Sequence, residues 1–181
     1  MVVIVGGLLA FVSTSLKPLQ EGNVRNEKKQ LILKAIGSEE TKSITREDAG
    51  EQFEKYVVGR LILDYEGNII EGTRLTNETP VDIKSADDAF AVDLTKEYKK
   101  FVQPLTNKYV GSDLVDELTK ETNIHYPLFI CEVNDKKHFV IPVMGKGLWG
   151  GVLGYIGLES DGRTISGAVF DHKSETPGLG A

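Results

Sequence analysis

The chain opens on a run of apolar residues, Met1 to Val12, and carries no charge until Lys17. The run is apolar all round and shows no stripe. As a helix, sixteen residues at about 1.5 Å each cover roughly 24 Å, short of the ~30 Å hydrocarbon core of a bilayer. A signal peptide would carry a basic leading segment, which is absent, and Ser13-Thr14-Ser15 makes a weak cleavage site. A buried core helix would show polar residues recurring at helical spacing. The pattern is read as a transmembrane anchor over 1–16, incomplete at its N-terminus, with Lys17-Pro18 marking its exit from the bilayer.

Beyond this run the pattern turns amphipathic. Asn23 suits the N-cap of a helix running to about Ile36 and stopped by Gly37, with Val24, Leu31 and Ala35 on its apolar stripe beside Ile32 and Ile36. Ser38 to Ile44 reads as a loop. Thr45-Arg46-Glu47-Asp48 resembles a capping box opening a short helix toward Tyr56. From Val57 the period shortens. Val58–Tyr65 and Ile69–Leu75 read as a hairpin around Glu66-Gly67-Asn68. Between Glu78 and Lys100 two readings stay open: Ser85-Ala86-Asp87-Asp88 as a helix cap, or Phe90–Leu94 as a strand. Asp113–Thr122 reads as a short helix.

The last third is β-rich. Leu128–Val133 and His138–Val143 flank a four-residue loop, 134–137. Val152–Leu158 and Thr164–Phe170 flank a turn at Asp161-Gly162. Helices followed by antiparallel hairpins predict an α+β fold. The expected division is an anchor over 1–16, a helical connecting segment over 17–56 and one domain over 57–181.

Composition narrows the function. A net charge of −6 without an arginine-rich stripe argues against nucleic acid and against broad docking on anionic lipid. The lone Cys131, within the apolar run Leu128–Cys131, reads as an inert core thiol. His125, His138 and His172 lack ligand spacing, so a metal site is poorly supplied. No nucleophile-elbow pattern is present.

Two glycine-rich segments remain. Gly145-Lys146-Gly147-Leu148-Trp149-Gly150-Gly151 joins two strands and places four glycines within seven residues, which permits close backbone approach to another surface. It lacks the spacing of a phosphate-binding Walker loop, and by itself a tight strand connection is the simpler reading. Glu175-Thr176-Pro177-Gly178-Leu179-Gly180 follows the last hairpin. Pro177-Gly178 suits a type II turn, whose N–H groups could face an anionic or carbonyl-rich ligand, although an exposed turn explains it too.

In this order and spacing, the segments from Pro142 to Trp149, Gly154-Tyr155-Ile156, and Asp171 to Gly180 together resemble the FMN-binding domain family. Within it they look most like the flavin-carrying subunits of sodium-translocating NADH:quinone reductases. Leu16–Gln20 and the charged helix after it carry the likeness to the other end of the chain, whereas 41–122 is less distinctive. Flavin subunits of Rnf electron-transport complexes share these motifs and are the alternative. A cofactor-free, membrane-tethered binding domain is the rival from another class.

The resemblance implies FMN held covalently, by a phosphoester to a threonine in a Ser-Gly-Ala-Thr-type motif expected beyond Ala181. Ser166-Gly167-Ala168-Val169 has valine at the decisive position and lies on an expected strand, so it is read as an accidental match. By the same resemblance Lys146, Gly147, Leu148 and Trp149 would line the flavin from one connection, and Glu175, Thr176, Pro177, Gly178, Leu179 and Gly180 from the other. The implied role is electron relay without a catalytic acid or base on this chain. The implied partners are the other membrane and redox subunits of the complex and a flavin transferase. The implied place is the bacterial inner membrane, with the flavin domain on its outer face.

Overall fold

The structure, a computed structural model, describes residues 2–76, 79–83, 89–147 and 151–172. Its first element, α1, runs without interruption over Val2–Ala35. The expected N-cap at Asn23 is therefore corrected. Pro18 lies inside the helix, where it removes one backbone hydrogen bond and does not terminate the element. Val24, expected on the buried stripe, is 65% exposed, and the helix enters the body only in its last turns. There Ile32, Leu33, Ala35 and Ile36 are fully buried. Gly37, at φ +81°, ends the helix, and its N–H donates to the Lys34 carbonyl at 3.1 Å.

Among the described residues no helix is long and apolar enough to cross a membrane. The charge-free stretch ends at Lys17, and the turns after it carry Gln20, Glu21, Asn23 and Arg25.

The segment expected as a loop contains a single helical turn, Glu39–Lys42 (α2). Its buried Thr41 hydroxyl is satisfied locally, donating to the Ser38 carbonyl at 3.2 Å. Half of the expected capping box forms: the Asp48 N–H donates to Thr45 Oγ1 at 3.3 Å, and the return bond to Asp48 Oδ2, at 2.7 Å, comes from the Thr45 hydroxyl. Helix α3, Ala49–Tyr56, follows.

Among the described residues, seven antiparallel strands make one sheet in the order β3-β2-β1-β4-β5-β6-β7. They are β1 Val57–Leu63, β2 Ile69–Thr76, β3 Thr79–Ile83, β4 Tyr126–Val133, β5 Lys136–Lys146, β6 Gly151–Glu159 and β7 Ile165–His172. Between β3 and β4 come α4 (Leu94–Glu97), a π-helical turn (Tyr98–Val102), α5 (Gln103–Thr106) and α6 (Gly111–Lys120). The expectation of helices flanking an antiparallel sheet thus holds. Phe90 lies in a turn, and Asp93 caps α4 by accepting from the Thr95 and Lys96 N–H groups, so the strand reading of Phe90–Leu94 is corrected. The alternative cap at Ser85–Asp88 lies outside the described residues.

The β4–β5 loop is tighter than expected. Asn134 and Asp135 both take positive φ, 52° and 59°, so a two-residue turn of the hairpin-favoring kind replaces the four-residue loop.

One face of the sheet carries the core. Phe53 of α3 packs edge-on against Phe90 and Phe129, with ring centroids at 5.6 and 6.2 Å. Ile62, Phe129, Cys131, Val140 and Tyr155 supply the sheet side. Full burial of one such side chain contributes about 1.5–3 kcal/mol. Burial pushes the Cys131 thiol up to about 12, in keeping with its expected role as a core residue.

Candidate functional site

The two motif-bearing segments leave the sheet at the same end. In the β5–β6 pair, Gly145 lies opposite Val152 and Lys146 opposite Gly151. In the β6–β7 pair, Val152 lies opposite His172, the last residue of β7. Lys146, Gly151 and His172 are thus neighbors across three adjacent strands. The chain continues from Gly147 into Leu148 and from His172 toward Glu175 at this shared end.

Of the sequence-derived site residues, Lys146 and Gly147 are described. Leu148, Trp149, Glu175, Thr176, Pro177, Gly178, Leu179 and Gly180 lie outside the described residues. A side chain at Gly145 would meet nothing within 4 Å, and Lys146 is exposed at the strand tip. The backbone here is open on one side and tied to the sheet on the other.

Inside this end of the sheet is a cavity of about 340 Å³ that the sequence did not reveal. Leu153, Tyr155 and Asp171 form its floor, Glu27, Lys28 and Leu31 of α1 one wall, and the segment before α4 the other. Leu153 pairs directly with Asp171, one step inward from the Val152–His172 pair. Lys28 spans the wall, with its Nζ donating to the Phe90 carbonyl and lying 4.5 Å from that ring's centroid. Tyr155 is 1% exposed, and its hydroxyl is held well above its ordinary pKa, first by burial and then by the Asp171 carboxylate. It stays neutral across the physiological range. Alternation along β6 makes Leu153 and Tyr155 share a face, but only the crossing of α1 turns that face into a wall.

On the opposite face, Phe170 is 61% exposed and its ring covers Gly154, where a side chain would collide with it. An aromatic ring thereby stands beside the motif end without serving the core.

No protein-family model matches the chain. Curated relatives do. The C subunit of the Na(+)-translocating NADH-quinone reductase from Vibrio anguillarum is 26% identical over 175 residues, covering 96% of this chain and 59% of the relative. Its counterpart from Chlamydia caviae is 48% identical over 42 residues, 23% of this chain and 13% of the relative. A crystal structure of the same reductase component from Parabacteroides distasonis superposes with a TM-score of 0.60 at 27% identity, covering 91% of this chain and 61% of that one. The chain is similar to the reductase's C subunit along nearly its whole length.

These homologues are parts of an oxidoreductase complex. The chain spans 59% of the length of the first Vibrio relative. The coverage of 96% means that the likeness extends well beyond the glycine segments, through the middle of the chain that sequence motifs left indistinct.

Proposed function

We propose that this chain is part of the electron-carrying flavoprotein subunit of a sodium-translocating NADH:quinone reductase. In this reading the end of β5–β7 holds FMN between the 145–151 connection and the segment after His172. Leu148 and Trp149 wall the flavin from one side, and Glu175, Thr176, Leu179 and Gly180 from the other. A threonine beyond Ala181 carries the covalent phosphoester. FMN supplies reversible electron uptake and release, and the protein contributes packing, hydrogen bonding and access. NADH oxidation and quinone reduction belong to other subunits.

The observation that carries the reading is the strand register: Lys146, Gly151 and His172 stand side by side, so the two segments are delivered to one place. Resemblance to the reductase's C subunit along nearly the whole chain supports the assignment to this complex.

The same reading places the apolar half of α1 in the bacterial inner membrane and the flavin domain on its outer face. Residues 5–7 and 9–25 are exposed, and Val5, Leu9, Phe11 and Val12 present apolar surface to their surroundings. Such a surface is stable in lipid or against other apolar helices, and unfavorable in water. Thr14 donates its hydroxyl to the Ala10 carbonyl at 2.8 Å, which satisfies that group within the helix, as lipid requires.

In-gel flavin fluorescence under denaturing conditions tests the reading. A chain extended through the expected threonine motif and coexpressed with a flavin transferase fluoresces, whereas the 181-residue form does not. A colorless extended chain eliminates covalent FMN, and a fluorescent short form relocates the attachment site.

A further inference from the structure

The cavity between α1 and β6–β7 has a floor with two unused polar groups. Tyr155 is 1% exposed, yet among the described residues its hydroxyl neither gives nor accepts a hydrogen bond. Asp171, half-buried on β7, makes no hydrogen bond or ion pair among them either. The two share one face of the sheet, because Leu153 pairs with Asp171, Tyr155 pairs with Val169, and side chains alternate along each strand. Diagonal neighbors of this kind are about 7–8 Å apart, a gap that one small polar group can bridge. A buried hydroxyl ordinarily has a partner, so one left open toward a cavity points to a ligand.

The charges around the cavity specify what that ligand is. Glu27 is already paired with Arg46 at 2.8 Å. Asp93 accepts the N–H groups of Thr95 and Lys96 at 3.1 and 3.2 Å, and the Lys96 Nζ lies 3.6 Å from its other oxygen. Lys28 turns its Nζ to the Phe90 carbonyl and ring. Asp171 remains as the uncompensated carboxylate of the lining. An anionic ligand would be repelled by it, and a wholly apolar one would bury it and the Tyr155 hydroxyl without partners. A primary ammonium brings a positive charge and three donors, enough for the carboxylate and the phenolic oxygen together. Val24, Leu31, Val92, Leu94 and Leu153 supply apolar wall for the rest of the molecule. The volume of about 340 Å³ stands at the low end of the range for small-molecule sites, roughly 300–1,000 Å³.

We propose that this cavity binds a small primary amine with an apolar body, its ammonium between Asp171 and Tyr155 and its body between Leu31 of α1 and Leu153 of β6. Tyr155 is fixed by the core around it and sets the position of the ammonium, while Asp171 selects its charge. Because α1 forms one wall and the sheet the floor, an occupied site ties the helix to β6 and β7 beyond their contact at Gly157 and Gly167. The site uses neither glycine segment and does not rest on flavin binding.

The test titrates the full-length protein with phenethylamine at neutral pH, with phenylethanol and phenylacetate as neutral and anionic analogues of the same body. Isothermal titration calorimetry gives each affinity. The amine is expected to bind at least about tenfold more tightly than either analogue. Asp171→Asn is expected to remove that preference and leave the alcohol unchanged, and Tyr155→Phe to weaken the amine by about threefold to tenfold. Leu153→Trp fills the cavity and is expected to abolish binding of all three ligands, with circular dichroism reporting whether each variant is folded. The ligand comparison on the unaltered protein decides the charge selection even where a substitution fails to fold. Absence of amine binding up to about 10 mM overturns the site. Equal affinity for the amine and phenylacetate overturns the role of Asp171. An amine preference that survives both Asp171→Asn and Leu153→Trp puts the ligand elsewhere and overturns the assignment to this cavity.

Discussion

Gly157 and Gly167 face each other across β6 and β7, and the carbonyl of Ala35 rests on both. Two side-chain-free positions in one cross-strand pair lower the sheet surface by about the height of a methyl group, so the last turn of α1 reaches backbone contact. A Cβ at Gly167 would lie 2.6 Å from that oxygen, and one at Gly157 would overlap it outright. The helix end, the sheet and the turn at Gly37 share this point.

Gly157→Ala and Gly167→Ala are each expected to destabilise the fold by about 3 kcal/mol, the upper range for overpacking against atoms that cannot move aside. Gly162→Ala serves as the comparison. Its Cβ would meet open space, and its φ of +65° accounts for a loss of about 1 kcal/mol. Urea unfolding ranks the three variants. Equal losses at 157 and 162 would contradict the pinned helix end.

Cys131 should resist thiol reagents at pH 8 in the folded protein. Its pKa is raised to about 12 by burial, which leaves about one thiol in ten thousand ionised, and its side chain is fully covered. Modification followed by mass spectrometry should track urea unfolding. Rapid labeling under native conditions would place this strand outside the core.

Asp161 organises the β6–β7 turn, accepting the N–H groups of Arg163 and Thr164 at 2.8 and 2.9 Å and the Thr164 hydroxyl at 2.6 Å. The Thr164 hydroxyl, then the backbone donors, hold its carboxyl below its ordinary value of 3.8. A depressed folded pKa gives stabilisation that is present above the unfolded value and lost as pH falls through the folded one. Asp161→Asn is therefore expected to lower the midpoint of thermal unfolding at pH 7, with the difference shrinking below about pH 4. A pH-independent difference would assign the loss to something other than the carboxylate.

Trp149→Ala and Thr176→Ala, made in the complete protein with its flavin transferase, are expected to reduce covalent flavin or move its midpoint potential. A tenfold change in preference between oxidised and reduced flavin shifts a one-electron couple by about 59 mV. Unchanged occupancy and potential in both variants would remove these residues from the pocket.

Much of the sheet was legible along the chain because its hairpins are local. Asp64, Gly67 and Asn68 close the β1–β2 turn: the Asn68 N–H donates to Asp64 Oδ1 at 2.8 Å, and Gly67 takes a φ of +85°. The turns at 134–135 and 161–162 were marked by equally specific residues, although Asn134 and Asp135 close theirs with fewer residues than expected. The helical segment was less legible. Pro18 looks like a boundary in one dimension, yet a single proline removes one hydrogen bond and leaves the rest of the ladder intact.

The candidate site divides in the same way. The sequence alone determined the two glycine segments, their order and their likeness to a flavin-binding family, because glycine, proline and turn chemistry act over a few residues. That the segments share one end of the sheet was decided by strand register, which pairs Lys146 with Gly151 and Val152 with His172. The cavity behind them was decided by the helix crossing at Gly157 and Gly167. These contacts join residues more than a hundred positions apart. No local preference encodes them; they exist because one apolar helix end and one bare patch of sheet bury each other.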